Sequence, residues 1–152
     1  MSVPASPFVC WEIASGSEAY LAAHRLREEV LRKPLDLDWS DADLQAEEEA
    51  THLGCFAQDR LVAALLLHPQ DAETLRLRQV AVAPAFRRRG AGAQLVAFAE
   101  YRAMAFGYRR MFAHARLDAL PFYRSLGYSK FGARFIEHAI PHVAVHKTLA
   151  SS

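Results

Sequence analysis

The sequence contains little cysteine, no long hydrophobic run and no internal repeat. Its 152 residues include only Cys10 and Cys55, which excludes a disulfide-rich scaffold and a cysteine-rich zinc fold. The longest unbroken apolar run, residues 61–67, is far too short to cross a bilayer. The first residues lack a basic stretch followed by an apolar one, so they predict no secretory signal. We therefore expect a cytoplasmic protein with no membrane partner.

The remaining composition is that of an ordinary globular protein. Hydrophobic residues make up 52% of the chain and charged residues 23%, with seven glycines and seven prolines. A chain of this length can bury a sizeable core, and one domain is the natural count. We predict a single domain over residues 1–152.

Charge is distributed unevenly along the chain. Residues 1–73 carry a net charge of −9, residues 74–134 carry +10, and residues 135–152 are neutral. Such a division is typical of sites for ligands of opposite sign, but it is also expected where two halves neutralise each other on folding. Residues 36–49 hold seven carboxylates and no basic side chain. This acidic segment is either a solvated face or a mouth that attracts a cationic substrate.

The spacing of apolar residues predicts a mixed α/β fold. Three consecutive strands joined by short turns imply an antiparallel meander, and a strand–helix–strand unit implies a parallel pair. The predicted fold is a largely antiparallel central sheet of about seven strands flanked by about four helices. The predicted strands cover residues 8–14, 51–57, 61–68, 74–82, 111–115, 128–136 and 141–149. The predicted helices run from Ser17 to just before Pro34, and over residues 41–48, 90–106 and 119–126, the last capped by Asp118.

The turn after the fourth strand has the chemistry of an anion site. Residues 87–92 read RRRGAG and lead directly into a helix. The first turn of a helix has amides without intrahelical partners, and the helix dipole adds positive charge there. The two glycines remove side chains that would block those amides, and the three arginines add forked donors. The turn therefore predicts a cradle for a pyrophosphate.

Other phosphate-binding and nucleic-acid readings fit this turn less well. No Gly-Lys-Ser/Thr follows, so it is not a nucleoside triphosphate loop. The Gly-x-Gly-x-x-Gly pattern is absent and the preceding strands form a meander, which disfavours a dinucleotide fold. The arginines also permit contact with nucleic acid, but no wider basic helix or exposed aromatic series accompanies them. Nucleic acid is therefore not the partner we predict.

Two sequence blocks resemble a known family. Residues 77–82 together with Arg87-x-x-Gly90-x-Gly92 resemble the coenzyme A-binding core of the GNAT superfamily of N-acetyltransferases. Residues 119–128, ALPFYRSLGY, are similar to the family's Ala-x-x-Phe-Tyr-x-x-x-Gly-Phe segment. The spacing between the blocks leaves room for one helix and one strand, as in the family. The resemblance implies a GNAT-like domain.

Shorter segments resemble one branch of that superfamily. Residues 31–35 and 140–142 are similar to the ElaA-like or YjcF-like branch. One position departs from the family pattern, because Arg116 stands where the family often has asparagine. Any property tied to that asparagine is therefore not carried over.

The resemblance implies acetyl-CoA as cosubstrate. In the family, main-chain amides of the turn hold the diphosphate, and the pantetheine arm pairs with the strand edge before it. A backbone N–H at that edge polarises the thioester carbonyl. The cofactor-binding residues implied in this sequence are Val80, Ala81, Val82, Arg87, Arg88, Arg89, Gly90, Ala91, Gly92 and Ala93.

The resemblance also implies a general acid. Tyr123 matches the family's tyrosine, whose phenol protonates the leaving thiolate; the alternative is a core aromatic with a satisfied hydroxyl. The substrate ammonium must also lose a proton, and His114, His142 and His52 are the candidates for that base. Each of these histidines is also a reasonable structural residue.

A metal site is not predicted. His138, His142 and His146 are four residues apart, which is a ligand spacing on a helix. The flanking Pro141 and Val143 indicate a strand, on which residues four apart are separated by about 13 Å. One ion cannot join them.

The sequence thus predicts an N-acetyltransferase that moves an acetyl group from acetyl-CoA to a primary amine by direct attack in a ternary complex. The amine is a small molecule or a peptide. The sequence does not determine the oligomeric state, and the resemblance leaves a homodimer open because dimers are common among relatives. The alternative is a non-catalytic module that binds or senses acyl-CoA. The two hypotheses differ in whether an amine raises thiol release.

Overall fold

Residues 7–149, which a computed structural model describes, fold into seven strands and four α-helices. The strands are β1 (Phe8–Ile13), β2 (Thr51–Ala57), β3 (Arg60–Pro69), β4 (Thr74–Val82), β5 (Arg110–Arg116), β6 (Ser129–Glu137) and β7 (Ile140–Thr148). The helices are α1 (Glu18–Arg27), α2 (Asp41–Glu49), α3 (Ala91–Ala105) and α4 (Leu120–Ser125). Within this part of the chain, no helix has the length and apolarity that spanning a membrane requires.

The strands form one sheet in the order β1-β2-β3-β4-β5-β7-β6. β1 pairs antiparallel with β2, and β7 pairs antiparallel with both β5 and β6. β4 and β5 are parallel, as the intervening helix α3 requires. The predicted mixed, largely antiparallel sheet with flanking helices is therefore confirmed. Both cysteines are free thiols.

Helix starts follow local side-chain chemistry. The Ser17 hydroxyl caps α1 by accepting the amide of Tyr20 at 3.1 Å. Ser40 and Asp43 form a capping box at the start of α2, each side chain accepting the other's main-chain N–H at 3.0 Å. Both starts lie where the sequence predicted them.

Two details of the prediction are wrong. The first helix does not run to just before Pro34: α1 ends at Arg27, and a wide turn over Glu28–Arg32 leads into a 3-10 turn, Lys33–Leu35, that includes the proline. Proline is tolerated in the first turn of a helix, where its missing N–H needs no partner, and the chain leaves helical geometry only at Asp36. Asp118 does not cap α4 either; it lies in the 3-10 turn Leu117–Ala119 that precedes the helix.

The described residues group into two compact units. The first comprises residues 7–66 and 79–98, and the second comprises residues 67–78 and 99–149. The first unit has a core in which strand and helix residues pack together. Packing removes their apolar surface from water, which is the main source of the unit's stability. This core contains Ile13, Ala23, Leu26, Phe56, Ala64, Ala81 and Ala83.

In the second unit, successive residues of each strand point to opposite faces of the sheet. Met111 and Ala113 on β5 are buried, as are Val143 and Val145 on β7. The residues that alternate with them along each strand belong to the other face, and these include His114 and His142. This alternation places a set of titratable side chains on one face of the sheet.

Candidate active site

The β4–α3 turn has the backbone geometry that an anion cradle needs. Arg88 has a φ of 60° and Gly90 a φ of 90°, so the chain reverses through the left-handed region before the helix begins. The main-chain N–H of Gln94 donates to the carbonyl of Gly90 at 2.9 Å. The amides before it in the first turn therefore have no acceptor within the helix. They are available to a ligand.

The surroundings of this turn also fit a diphosphate. A Cβ at Gly90 would meet no heavy atom within 4 Å, so the space beside the turn is open. Arg87, Arg88 and Arg89 are all exposed. The Arg89 guanidinium lies 4.8 Å from the Phe86 ring centre, and Arg60 lies 5.3 Å from the same ring. Positive charge and free amides are thus collected at one helix start.

The strand edge before the turn contains a break in regular geometry. Gln79 has a φ of 53°, which is the left-handed region, although it lies inside β4. Ala81 is buried, and Val80 and Val82 are half-buried. The predicted pantetheine-binding residues therefore follow directly after a backbone distortion.

A buried polar cluster lies beside this distortion, and the sequence analysis missed it. Arg27 is fully buried, and its Nε donates to Oε1 of Gln79 at 3.1 Å. Its Nη2 donates to the carboxylate of Glu47, which is also buried. Nδ1 of His24 lies 2.9 and 3.0 Å from the two oxygens of Glu47. Burial lowers the pKa of Arg27, while the charge of Glu47 opposes that shift.

The signal for this cluster was present in the helical spacing. Arg27 lies four residues after Ala23 and next to Leu26, both in the core, so it belongs to the buried face of α1. Glu47 could not be recognised from the sequence, because it is one of seven carboxylates in the acidic segment. In the structure it is the one residue of α2 that is buried. No spacing rule separates it from Glu48 and Glu49.

The acidic segment has more than one role. Asp43 completes the cap of α2, and Glu47 neutralises Arg27. Glu48 lines a cleft of about 460 Å³ together with Glu12, and the cleft also contains Ser15, Thr51 and His52. Asp43 and Glu47 therefore have structural roles, so neither a solvated face nor a mouth for a cationic substrate describes the whole acidic segment.

Tyr123 lies on α4 and is 6% exposed. Its ring packs edge-on against Phe122 and Tyr128, with centroid distances of 5.2 and 5.5 Å. Burial raises the pKa of Tyr123 to about 12. The phenol therefore keeps its proton at neutral pH, which a general acid requires.

His114 and His142 are brought together by Glu137. Nδ1 of His114 lies 3.1 Å from Oε1 of Glu137, and Nε2 of His142 lies 3.6 Å from its Oε2. Burial lowers the pKa of His114, although the hydrogen bond to Glu137 acts in the opposite direction. A neutral imidazole near physiological pH is suited to accept a proton.

Nδ1 of His114 has two competing neighbours. Nη2 of Arg76 lies 3.0 Å from this nitrogen and can only donate, whereas Glu137 can only accept. The Glu137 contact keeps the proton on Nδ1 and leaves Nε2 free to take another. The Arg76 contact favours the tautomer with the proton on Nε2. The two contacts therefore favour different tautomers of the neutral His114 ring.

His142 and His52 also contact main-chain carbonyls. Nδ1 of His142 donates to the carbonyl of Ile140 at 2.7 Å, and Nε2 of His52 donates to the carbonyl of Glu47 at 2.6 Å. His138 lies in the exposed turn between β6 and β7, while His142 and His146 lie on β7. Among residues 7–149, no group of three His, Cys, Asp or Glu side chains is arranged to hold a metal ion.

Curated relatives that match this chain include a yeast and a bacterial protein. A UPF0039 protein of Schizosaccharomyces pombe is 34% identical over 95 residues, which cover 61% of this chain and 63% of the yeast protein. The uncharacterised N-acetyltransferase YjcF of Bacillus subtilis is 26% identical over 136 residues, which cover 89% of this chain and 96% of YjcF. The chain thus spans less than two thirds of the yeast relative and nearly all of the bacterial one.

Solved structures and a family model agree with these matches. A presumed N-acetyltransferase from Lactobacillus plantarum superposes with a TM-score of 0.83 and 27% identity, covering 94% of this chain and 99% of that protein. A GNAT family acetyltransferase from Elizabethkingia anophelis, solved with acetyl-CoA bound, has the same fold, with a TM-score of 0.76, 15% identity and coverage of 95% and 100%. The model of the Acetyltransferase (GNAT) family matches residues 17–128. The chain therefore belongs to the Acetyltransferase (GNAT) family, as the sequence blocks predicted.

Proposed function

We propose that this protein transfers an acetyl group from acetyl-CoA to a primary amine, by direct attack of the amine in a ternary complex. The observation that carries the proposal is the β4–α3 turn, where three exposed arginines and an open, left-handed glycine lead into a helix start. Family membership supports the acyl-transfer chemistry. The proposal takes residues 1–152 as one domain.

The turn and the strand before it form the proposed cosubstrate site. Main-chain amides at residues 88–93 bind the diphosphate, and Arg87 contributes positive charge at the first position of the motif. Val80, Ala81 and Val82 pair with the pantetheine arm through the strand edge. A main-chain N–H at this edge polarises the thioester carbonyl, which is where negative charge develops during transfer.

Tyr123 and the Glu137-linked histidines supply the proton transfers. The buried phenol of Tyr123 protonates the departing thiolate. His114 accepts the proton of the substrate ammonium, and Glu137 balances the charge that the imidazole then carries. His142, on the other oxygen of Glu137, is the second candidate for this role.

The acceptor is a small-molecule or peptide amine. An amine is mostly ammonium at neutral pH, so carboxylates on the acidic segment favour its approach. Glu12 and Glu48 line one cleft in which such a cation is balanced. Cytoplasmic location stays a prediction, and a homodimer stays an open alternative.

Thiol release from acetyl-CoA in the presence of an amine panel tests the proposal. The panel contains polyamines, amino sugars, aminoacyl compounds and peptides with a free N-terminus or lysine. Release above the amine-free rate supports acetyl transfer. Calorimetric binding of coenzyme A without release by any amine would instead favour a non-catalytic acyl-CoA module, and absence of both would remove the cosubstrate site.

Replacing Tyr123 by phenylalanine tests the proposed acid. We expect kcat to fall by about 100-fold, because the leaving thiolate loses its proton donor, while the KM for acetyl-CoA changes little. Since the pKa of Tyr123 is raised to about 12, the wild-type rate should not decline through this group at neutral or mildly alkaline pH. Tyr101→Phe, the same change on an exposed residue of α3, is the control. A Tyr123→Phe variant as fast as the control would exclude the assignment.

A further inference from the structure

Gln79 is unusual among the residues with left-handed backbone. Within residues 7–149, six residues other than glycine have a positive φ, and the other five lie in turns. Only Gln79 lies inside a strand. A left-handed conformation is unfavourable for a residue with a side chain, so the surrounding structure must hold it.

The contact that holds Gln79 comes from α1. Nε of Arg27 donates to the side-chain oxygen of Gln79 at 3.1 Å. The same guanidinium donates through Nη2 to Glu47 on α2, so its planar fork is fixed at two points. His24 contacts both oxygens of Glu47 and fixes the carboxylate in turn. Two helices therefore clamp one strand residue.

We propose that Arg27, held by Glu47, is a positioning residue that fixes the left-handed backbone of Gln79 and so aims the main chain of Val80–Val82 at the acetyl thioester. This inference rests on the proposed function, which assigns that strand edge to the pantetheine arm. A change of φ at Gln79 rotates the peptide planes that follow it. The direction of the main-chain N–H groups at the strand edge therefore depends on the clamp.

Stability alone does not account for this cluster. A buried ion pair gains little over apolar side chains of similar volume, because both ions lose their hydration. Within the described residues, Nη1 of Arg27 and Nε2 of Gln79 are buried without a hydrogen-bond partner, which is a further cost. Glycine would adopt this φ without any clamp. Glutamine held by a buried arginine, in contrast, fixes the backbone at this position in one conformation.

Three variants of Gln79 separate the clamp from the conformation. Gln79→Met keeps the side-chain length but cannot accept from Arg27. Gln79→Gly tolerates the left-handed backbone but leaves it free. Gln79→Glu keeps an acceptor for Arg27 and is the conservative replacement. Gln58→Met is the matched control, because Gln58 also has a φ of 53° but lies exposed in the β2–β3 turn.

The readouts are kcat and KM for thiol release, together with calorimetric affinity for coenzyme A. We expect kcat to fall about 100-fold in Gln79→Met and about tenfold in Gln79→Gly, because the carbonyl-polarising N–H is misdirected. Affinity for coenzyme A should stay within about threefold, since the diphosphate-binding turn is intact. Gln79→Glu should retain most of the rate, and Gln58→Met all of it.

Each other outcome has a definite meaning. If the wild-type protein shows no amine-dependent release, the proposed function fails before the clamp is tested. If the wild type is active and Gln79→Gly retains its kcat, the positioning role is wrong. Parallel losses of kcat, coenzyme A affinity and thermal stability in Gln79→Gly would also overturn it, because they indicate a purely structural residue. Gln79→Gly relieves backbone strain, so it decides the matter even where Gln79→Met does not fold.

Discussion

Two polar clusters in this protein use the same residue types in different surroundings. In the first unit, Arg27, Glu47 and His24 are joined around a carboxylate that is 2% exposed. In the second unit, Arg76, His114 and Glu137 make an analogous set, but the Glu137 side chain is 34% exposed. Burial is the main physical difference between them.

That difference assigns the clusters to different tasks. Enclosed charges without water are costly to separate, so the first cluster holds one arrangement and acts as a clamp. The second cluster is partly open to solvent, and its central imidazole contacts both a cation, Arg76, and a carboxylate, Glu137. Burial raises the pKa of Glu137, but its hydrogen bond with His114 and the charges of His142 and Arg76 outweigh this effect and lower it. Glu137 therefore stays charged beside His114.

The largest expected effect comes from breaking the buried pair. Glu47→Leu leaves the guanidinium of Arg27 buried without a counter-charge, and we expect the free energy of unfolding to fall by about 3–5 kcal/mol. Urea unfolding measures this loss. The double variant Arg27→Met/Glu47→Leu removes both charges and should recover most of the stability.

A neighbouring carboxylate provides the control for that experiment. Glu48 is exposed on the same helix, and Glu48→Leu should change stability by no more than about 0.5 kcal/mol. If Glu47→Leu and Glu48→Leu are equally mild, the buried pair is not a clamp and the contrast between the clusters disappears. If the double variant is as unstable as Glu47→Leu, the loss arises from shape rather than from an unpaired charge.

The strands and helices were predictable because each is encoded locally. Ser17 and Ser40 cap helices at the predicted starts, and β2 has the predicted bounds, Thr51–Ala57. Pro34 was misjudged because a 3-10 turn accepts proline where a continuous α-helix does not. Local rules therefore locate elements well but describe their ends less well.

The proposed cosubstrate turn could be predicted from sequence because its function depends on the main chain, whereas the side-chain clusters could not be assembled from sequence. The turn at residues 87–92 is visible in sequence because glycines and a helix start define it. The Arg27–Gln79 contact joins residues 52 positions apart, and the local sequence around either residue does not predict the other as its partner. The same holds for His114 and Glu137, which are 23 positions apart and meet through strand pairing in the sheet. His114 was singled out as a candidate, but its carboxylate partner was not.

An intermediate effect is expected for the imidazole of the exposed cluster. His114→Gln should lower kcat by about 100-fold through loss of the base, while unfolding free energy changes by less than about 1 kcal/mol because the cluster is partly exposed. Burial lowers the pKa of His114 below its ordinary 6.5, so the neutral, active form persists as pH falls to 6.5 and the wild-type rate should decline only below it. The variant should lack that decline.

His146→Gln is the control for this variant, because His146 lies on the same face of the sheet and packs against Phe131. It should leave both the rate and the pH profile unchanged. A His114→Gln variant that keeps the acidic decline would move the base to His142, whose own glutamine variant then becomes the decisive measurement. In that case the cluster would retain its role but with a different proton acceptor.

The smallest expected effect comes from the carboxylate of the exposed cluster, and it tests whether this cluster titrates while the other does not. The hydrogen bond to Glu137 raises the pKa of His114 against the effect of burial, so Glu137→Gln should lower that pKa further. The acidic decline of the pH–rate profile should then move to lower pH, and kcat should fall by about tenfold because the protonated imidazole loses its counter-charge. Glu73→Gln, an exposed carboxylate in the β3–β4 turn, is the control and should leave the profile in place. An unmoved or upward-shifted decline would contradict the assignment, because loss of the Glu137 carboxylate can only remove a contact that raises the pKa of His114.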